Sequence, residues 1–481
     1  MQCPPGGKPP ALAVSQALST GVSMTYLAAP DPGPTAAGTK DSRLDSRARK
    51  AASAGFVGTF IEYYDFGLYG LLTVYFAPLF FPAASTSTSL LAGLAVFGAG
   101  FVARPVGGLI FGRIGDRVGR RPALIASLIV MGLCSGTVGL LPTYDAVGLW
   151  APVLLVVLRL GQGLSAGSEM LGSVTFVLES APPRSRIFLA SLTPFGAALG
   201  TTVATASVWI LSSTVDADWM RQTGWRVLFL AALPLLVVAV RLRSRLEDSP
   251  EFDKMVENNQ VASTPIRTLF RNHWHTILLA GGVAIAANGT AGLLAWFSTY
   301  LVGSRGLQGS SIFAALALAS AIGAASVPLS GWLTARFGQR RVASIILAAF
   351  IVSAFPVLWL LGTGETFIPL VIAMVVYNVL SVAIMPPAFT LIAQLFPASL
   401  RYSGSNLGQN IGTVLGAGLA PFVGAQLAII SGSVFGPAIW IIAVASIGLT
   451  ALAILAWSSH RSPSIWDDGI SKSIAPLVET D

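Results

Sequence analysis

Five ionisable side chains stand inside long apolar stretches of this sequence: Glu62, Asp65, Arg104, Arg159 and Glu169. A charge at bilayer depth costs about 2.5–3.5 kcal/mol or more, so groups kept there usually serve an ion or substrate pathway. Carboxylates in a poorly hydrated bundle exchange protons, and arginine grips a carboxylate with a planar two-pronged contact. Glu62 and Asp65 are three residues apart, on one helix face. Two carboxylates that close cannot both stay ionised cheaply and should titrate as a unit. Arg104, at matching depth on the next apolar segment, is expected to pair with Glu62 and leave Asp65 as the proton carrier. Glu169, with no counter-ion in view, is the competing carrier. Arg159 lies further up its segment, where it can meet an anionic substrate. Ordinary structural ion pairing is the alternative for all five.

The second half of the chain has no charge inside its apolar segments. It offers polar and kinked positions instead: Asn288, Trp296, Asn378, the Pro386-Pro387 pair, Asn406, Gln409 and Asn410. Unwound positions near the midplane of a bundle can line a binding site, although interhelical hydrogen bonding explains such residues about as well. Tyr64, Asn288, Trp296, Asn378 and Gln409 join Arg104 and Arg159 as expected substrate contacts. The three histidines lie at segment ends, and Cys3 and Cys134 provide neither a metal nor a disulfide framework. No nucleophile–base cluster is visible, so an enzyme is not expected. Gly161-Gln-Gly163 with Gly167 follows no strand, and no phosphate-binding G-x-x-x-x-G-K-[ST] loop exists, which argues against ATP as the driving force.

The elements that must position these residues are membrane helices. Of the 481 residues, 54% are hydrophobic and only 10% charged, whereas soluble domains carry about 25% charge. A helix needs about 20 apolar residues to cross a bilayer. Twelve segments qualify, from 54–81, 90–112 and 123–141 through 403–430 and 435–457. The net charge of +8 sits in short loops, which is membrane topology and not a nucleic-acid face. With the amino terminus inside, only Arg221, Arg226 and Arg305 fall outside, and Arg104 and Arg159 lie within segments. Both termini are therefore expected to be cytoplasmic. The expected organisation is a disordered tail (1–50, with Met24 an alternative start), a six-helix bundle (51–242), a linker (243–272), a second bundle (273–458) and a tail (459–481).

The loop Gly107-Gly-Leu-Ile-Phe-Gly-Arg-Ile-Gly-Asp-Arg-Val-Gly-Arg-Arg121 follows the second segment. A worn copy, Gly331-Trp-Leu-Thr-Ala-Arg-Phe-Gly-Gln-Arg-Arg341, comes 219 positions later, with Ala335 in place of the acid. Glu179-x-x-Pro182-x-x-x-Arg186 likewise recurs as Gln394-x-x-Pro397-x-x-x-Arg401. The two halves descend from one unit. The residues Asp116, Arg117, Arg120, Arg121, Glu179, Arg186, Arg336 and Arg401 are expected to form a cytoplasmic gate, with Asp116 also capping the start of the eleventh helix.

Twelve segments, a duplicated half and the G-x-x-x-D-R-x-G-R-R loop resemble the major facilitator superfamily. Glu62-Tyr-Tyr-Asp65-Phe, Arg104-Pro105, Arg159-Leu-Gly-Gln-Gly, Gly224-Trp-Arg226 and Arg245-Leu-Glu-Asp-Ser-Pro250-Glu-Phe resemble its metabolite:proton symporters. The resemblance covers roughly 51–458. It implies an all-α fold of two pseudo-symmetric six-helix bundles in the cell membrane. It also implies proton-coupled uptake of a small carboxylate or zwitterion; a monomer with no cofactor beyond the proton gradient is expected. The arginines favour an organic acid; a proline- or betaine-type zwitterion is the alternative, and a metabolite sensor is the rival from another class. Ala335 and Gln394 depart from the family pattern and weaken the second half of the gate.

Overall fold

The structure is a computed structural model and describes residues 34–82, 86–245, 248–258, 265–299, 301, 309–363 and 367–461. Contacts divide the chain into a short unit, Met1–Arg43, and a second, Leu44–Asp481, that carries everything below. The long helices are α1 (Pro34–Phe80), α2 (Thr86–Arg117), α3 (Arg120–Leu140), α4 (Trp150–Ser180), α5 (Arg186–Thr214) and α6 (Met220–Ser244). They continue with α7 (Trp274–Thr299), α8 (Gly309–Phe337), α9 (Gln339–Thr363), α10 (Ile368–Gln394), α11 (Ala398–Ser431) and α12 (Ala438–Arg461). No strand occurs among the described residues. That follows from composition: in hydrocarbon every backbone N–H and C=O must bond within its own segment, and a helix does this locally.

Eleven of these helices are long and apolar enough to cross a membrane. The apolar part of α1 is less so because it carries Glu62, Asp65 and four tyrosines. α1 also begins earlier than expected. Residues 34–50, expected to be part of a disordered tail, are helical, and the turn around Arg47 packs back on the chain: its guanidinium bonds the Asp248 carbonyl and lies 3.4 Å from the Asp253 carboxylate. Residues 1–33 and 462–481 lie outside the described residues.

Proline and glycine shape the helices where the site will form. α10 breaks at Ile384, just before Pro386-Pro387, and α11 relaxes into a π-helical stretch at Thr413–Gly418. A proline removes one ladder bond and crowds the preceding turn, so helices bend there. α2 lies so close to α4 that a Cβ on Gly107 would collide with the Leu164 backbone, and one on Gly163 with that of Gly100. On α11, Gly408, Gly412 and Gly416 press on Ala280, Ala284 and Gly289 of α7, within the same half. The two halves meet where α2 packs on α11 and α5 on α8.

Candidate functional site

Among the described residues, three buried ion pairs organise the interior of the first half, away from its charged end. Arg104 Nη2 donates to Glu62 Oε1 at 2.9 Å, joining α2 to α1 as the sequence suggested. Asp65, on the same helix, looks elsewhere. Its Oδ2 accepts from Gln162 Nε2 at 2.9 Å and lies 4.0 Å from Arg159 Nη1 on α4. The two carboxylates therefore form two separate pairs, not one coupled dyad, because three residues of helix turn them towards different neighbours. Glu169, expected to stand without a partner, is gripped by Arg243: Nη1 lies 2.8 Å from Oε2, and Nη2 bonds Oε1. Arg243 also donates to the carbonyls of Leu124 and Ala54 and to Ser173 Oγ, so one guanidinium ties α1, α3, α4 and α6 together. Sequence reasoning had assigned Arg243 to the linker; α6 runs to Ser244 and carries it inward, 2% exposed.

A cavity of about 260 Å³ lies between the halves. The first half contributes Tyr63, Phe66, Phe97, Phe101, Arg104 and Thr201, and the second Asn288, Ser320, Asn378, Ser381 and Thr413. Of the seven expected substrate contacts, Arg104, Asn288 and Asn378 line this space. Tyr64 turns towards α6, its hydroxyl 3.5 Å from the Leu228 carbonyl, and Tyr63 takes the cavity position. One residue is 100° of helix, finer than the sequence phase could resolve. Gln409 sits one layer back and donates to Asn288 Oδ1 at 3.3 Å. Trp296 is buried against Phe297, centroids 5.6 Å apart, away from the lining. Arg159 is fully buried and off the lining too. Its guanidinium carbon lies 4.2, 4.3 and 4.9 Å from the ring centres of Phe66, Tyr69 and Phe97.

At the end of the bundle where α2 turns into α3, a second cluster closes the halves on each other. Arg120 Nη1 bonds Asp116 Oδ1 at 2.8 Å, and its Nε and Nη2 reach Glu179 at 3.3 and 3.4 Å. Arg401 Nη1, from α11, shares the Glu179 carboxylate at 3.3 Å. Asp116 Oδ2 accepts from the Ser403 backbone N–H at 3.0 Å, in the first turn of α11, where the helix dipole favours an anion. The chain after α6 completes the knot. Ser249 Oγ donates to Glu179 Oε2 at 2.7 Å and accepts from the Phe252 N–H, capping the short helix Pro250–Glu257. Asp248 Oδ1 accepts from the backbone N–H groups of Ser249, Arg120 and Arg121. Burial pushes its carboxyl up from the ordinary range, and those three N–H groups oppose the shift.

The sequence model of the Major Facilitator Superfamily matches residues 55–411. The chain belongs to the major facilitator superfamily. It is 34% identical over 422 residues to the glycine betaine/proline/ectoine/pipecolic acid transporter OusA of Dickeya dadantii, covering 84% of this chain and 82% of that one. It is 32% identical over 389 residues to the shikimate transporter of Escherichia coli, covering 79% and 88%. Its fold is similar to that of the proton:xylose symporter XylE bound to 6-bromo-6-deoxy-D-glucose, with a TM-score of 0.71, 15% identity, and 86% and 96% of the two chains covered. The chain is thus a multi-pass membrane transporter of this superfamily and not an enzyme.

Within that superfamily frame the two halves can be compared position by position. Gly119 and Gly338, one in each copy of the loop, adopt φ of 133° and 89°, the left-handed region that glycine enters without steric cost. Arg120 corresponds to Gln339 at the offset of 219 that relates the two loops, and Glu179 corresponds to Gln394 through the recurring x-x-Pro-x-x-x-Arg pattern, four positions short of that offset. Gln339 Nε2 donates to Gln394 Oε1 at 3.1 Å, so the contact survives in neutral form. Arg117 is exposed, and Arg121 donates to the Ser244 carbonyl at 2.6 Å. Arg186 is half-buried at the start of α5, and Arg336 is exposed over the Trp332 and Phe337 rings. Gln162, Arg243, Asp248 and Ser249 were missed. Three of these had a readable signal: Gln162 lies one helical turn from Arg159, and Asp248 and Ser249 lie within the Arg245-to-Phe252 motif.

Proposed function

We propose that this chain is a proton-coupled symporter for a small zwitterion of the betaine or proline kind, in place of the organic acid first expected. The observation that carries this is the charge of the cavity lining. Arg104 is its one cationic side chain among the described residues, no acidic side chain lines it, and Glu62 already offsets part of the Arg104 charge. A di- or tricarboxylate would find too little positive charge there. A single carboxylate fits against Arg104, and the aromatic faces of Tyr63, Phe97 and Phe101 suit a substituted ammonium group, which is attracted to the π-cloud. OusA, by its name, carries molecules of this type. The shikimate relative keeps a monocarboxylate as the second candidate.

The proton is carried by Asp65, whose partners Arg159 and Gln162 are released from its charge when it protonates. Glu169 is held by Arg243 and serves as structure. The chain works as a monomer in the cell membrane with both termini cytoplasmic. The Asp116–Arg120–Glu179–Arg401 knot then closes the cytoplasmic end in the outward-facing part of the cycle. The test is uptake into proteoliposomes with an imposed proton gradient, using labelled glycine betaine, proline, shikimate and α-ketoglutarate. Concentrative uptake of glycine betaine or proline, abolished by a protonophore, is expected. Accumulation of α-ketoglutarate alone, or uptake indifferent to the proton gradient, overturns the proposal.

A further inference from the structure

Phe66 directly follows the carboxylate proposed to carry the proton, and it lines the cavity. Its ring lies under two guanidinium groups at once. The Arg104 carbon is 4.4 Å from the ring centre and the Arg159 carbon 4.2 Å. Arg104 faces the cavity; Arg159 is fully buried and faces Asp65. Nε and Nη2 of Arg159, and Nε of Arg104, have no hydrogen-bond acceptor among the described residues. What those edges have in place of acceptors is aromatic rings, with Phe101 5.2 Å from Arg104.

We infer that Phe66 is the positioning residue that couples the proton site to the substrate site, by holding the Asp65-paired arginine and the cavity arginine over one shared ring. The physical logic is linkage. While Asp65 is ionised, its charge offsets that of Arg159, and Arg104 has only a partly compensated neighbour. When Asp65 takes a proton, Arg159 becomes an uncompensated cation close to Arg104. A substrate carboxylate arriving at Arg104 relieves that repulsion, so protonation raises substrate affinity, and substrate raises proton affinity by the same factor. The shared ring fixes the spacing over which this acts, since each cation lies within cation–π range of it, and burial of all three groups keeps water from screening it. Other charged groups near Asp65 are already partnered or weak: Glu62 with Arg104 on α1 and α2, Cys134 on α3, and Glu169 with Arg243 on α4 and α6. Asp65 and Arg159 form the one pair in this region with a long, 4.0 Å contact.

This inference rests on the proton-symport proposal, and its test separates the two. Binding of glycine betaine is measured at acidic and alkaline pH for the wild type, and its proton co-transport is measured in proteoliposomes. The wild type is expected to bind more tightly at acidic pH, by a factor within the usual span for coupled sites, about 5–150-fold. Absence of proton co-transport in the wild type would defeat the symport proposal and this inference with it. In Phe66→Leu the acid-to-alkaline affinity ratio should fall to near one, and Phe66→Trp should keep most of it. Because Phe66→Leu can simply fail to fold, fluorinated phenylalanines are placed at position 66 as shape-preserving variants. The ratio should decline stepwise with each added fluorine, as the negative face of the ring is withdrawn. A wild type that couples normally, with a ratio that stays unchanged through the fluorine series, leaves symport standing and overturns the role of Phe66.

Discussion

Arg243 gives the sharpest test of which carboxylate is structural and which is free to move a proton. Replacing it with Met removes the guanidinium that contacts both oxygens of Glu169 and three further acceptors, while keeping much of its bulk. Glu169 would then be an anion 4% exposed with, among the described residues, only Ser127 and Ser173 as donors, at 3.3 Å each. Breaking a buried pair by removing one partner costs about 3–5 kcal/mol, whereas removing both charges is often close to neutral. At roughly 2–4 °C per kcal/mol for a domain of 150–250 residues, Arg243→Met should lower the apparent melting temperature in detergent by about 6–20 °C. Glu169→Gln alone should also destabilise, because it strands the cation. The double variant Glu169→Gln/Arg243→Met should recover at least half of the loss, which a double-mutant cycle reads as a coupling of about 2 kcal/mol or more. Proton-driven uptake should return along with folding in the double variant. Two results would refute the reasoning: an Arg243→Met protein as stable as the wild type, or a stable double variant that binds substrate yet no longer accumulates it. Either would make Glu169 the proton carrier.

Asp65→Asn mimics the protonated form of the proposed carrier, so substrate exchange across proteoliposomes should survive while uphill uptake is lost; retained accumulation would assign the proton elsewhere. Asp116→Asn removes an ion pair to Arg120 and weakens the cap on α11, contacts worth about 1.5–3 kcal/mol as charge-assisted bonds, so uptake should fall by roughly tenfold or more. Ala335→Asp, at the exposed corresponding position of the second loop, should leave uptake within about twofold, since isolated surface charges contribute ~0–1 kcal/mol. Gly119→Ala should cost more stability than Gly338→Ala. Both incur the strain of a positive φ, about 1–3 kcal/mol, but a Cβ at Gly119 also strikes the Asp248 carboxylate, while at Gly338 it meets open space. Equal melting shifts for the two glycines would contradict this.

Much of the architecture was legible because membrane helices announce themselves by length and apolarity, and because the duplicated loop marks the two halves. The Glu62–Arg104 pair was readable from depth alone, since both residues could be counted from the same membrane face. What failed was rotation and reach. Tyr63 and Tyr64 differ by one step around a helix, and no charge pattern in the sequence fixes which of them faces the cavity. Arg159 looked like a substrate ligand because an arginine within a span suggests an anion; the rings of Phe66, Tyr69 and Phe97 that enclose it come from two other helices. Arg243 was invisible for a different reason. It lies 74 residues from Glu169 and at the edge of its apolar run, where arginines are usually solvated.

The two halves began as copies, and the way they diverged bears on how the transporter turns over. In the first half, Asp116, Arg120 and Glu179 are all charged and buried. In the second, the corresponding Ala335, Gln339 and Gln394 are all neutral, and the surviving contact joins two amides. The substitutions are mutually consistent: losing one charge alone would have stranded its partner, while losing all three leaves an ordinary hydrogen bond. The remaining charged knot is not confined to its own half. It takes the first turn of α11 through Ser403, Arg401 from the same helix, and Ser249 from the chain that joins the halves. In the gating role proposed above, the charged contacts across the interface belong to one cluster. Two symmetric latches would both have to break before the halves could rock apart, and the barrier to turnover would rise accordingly.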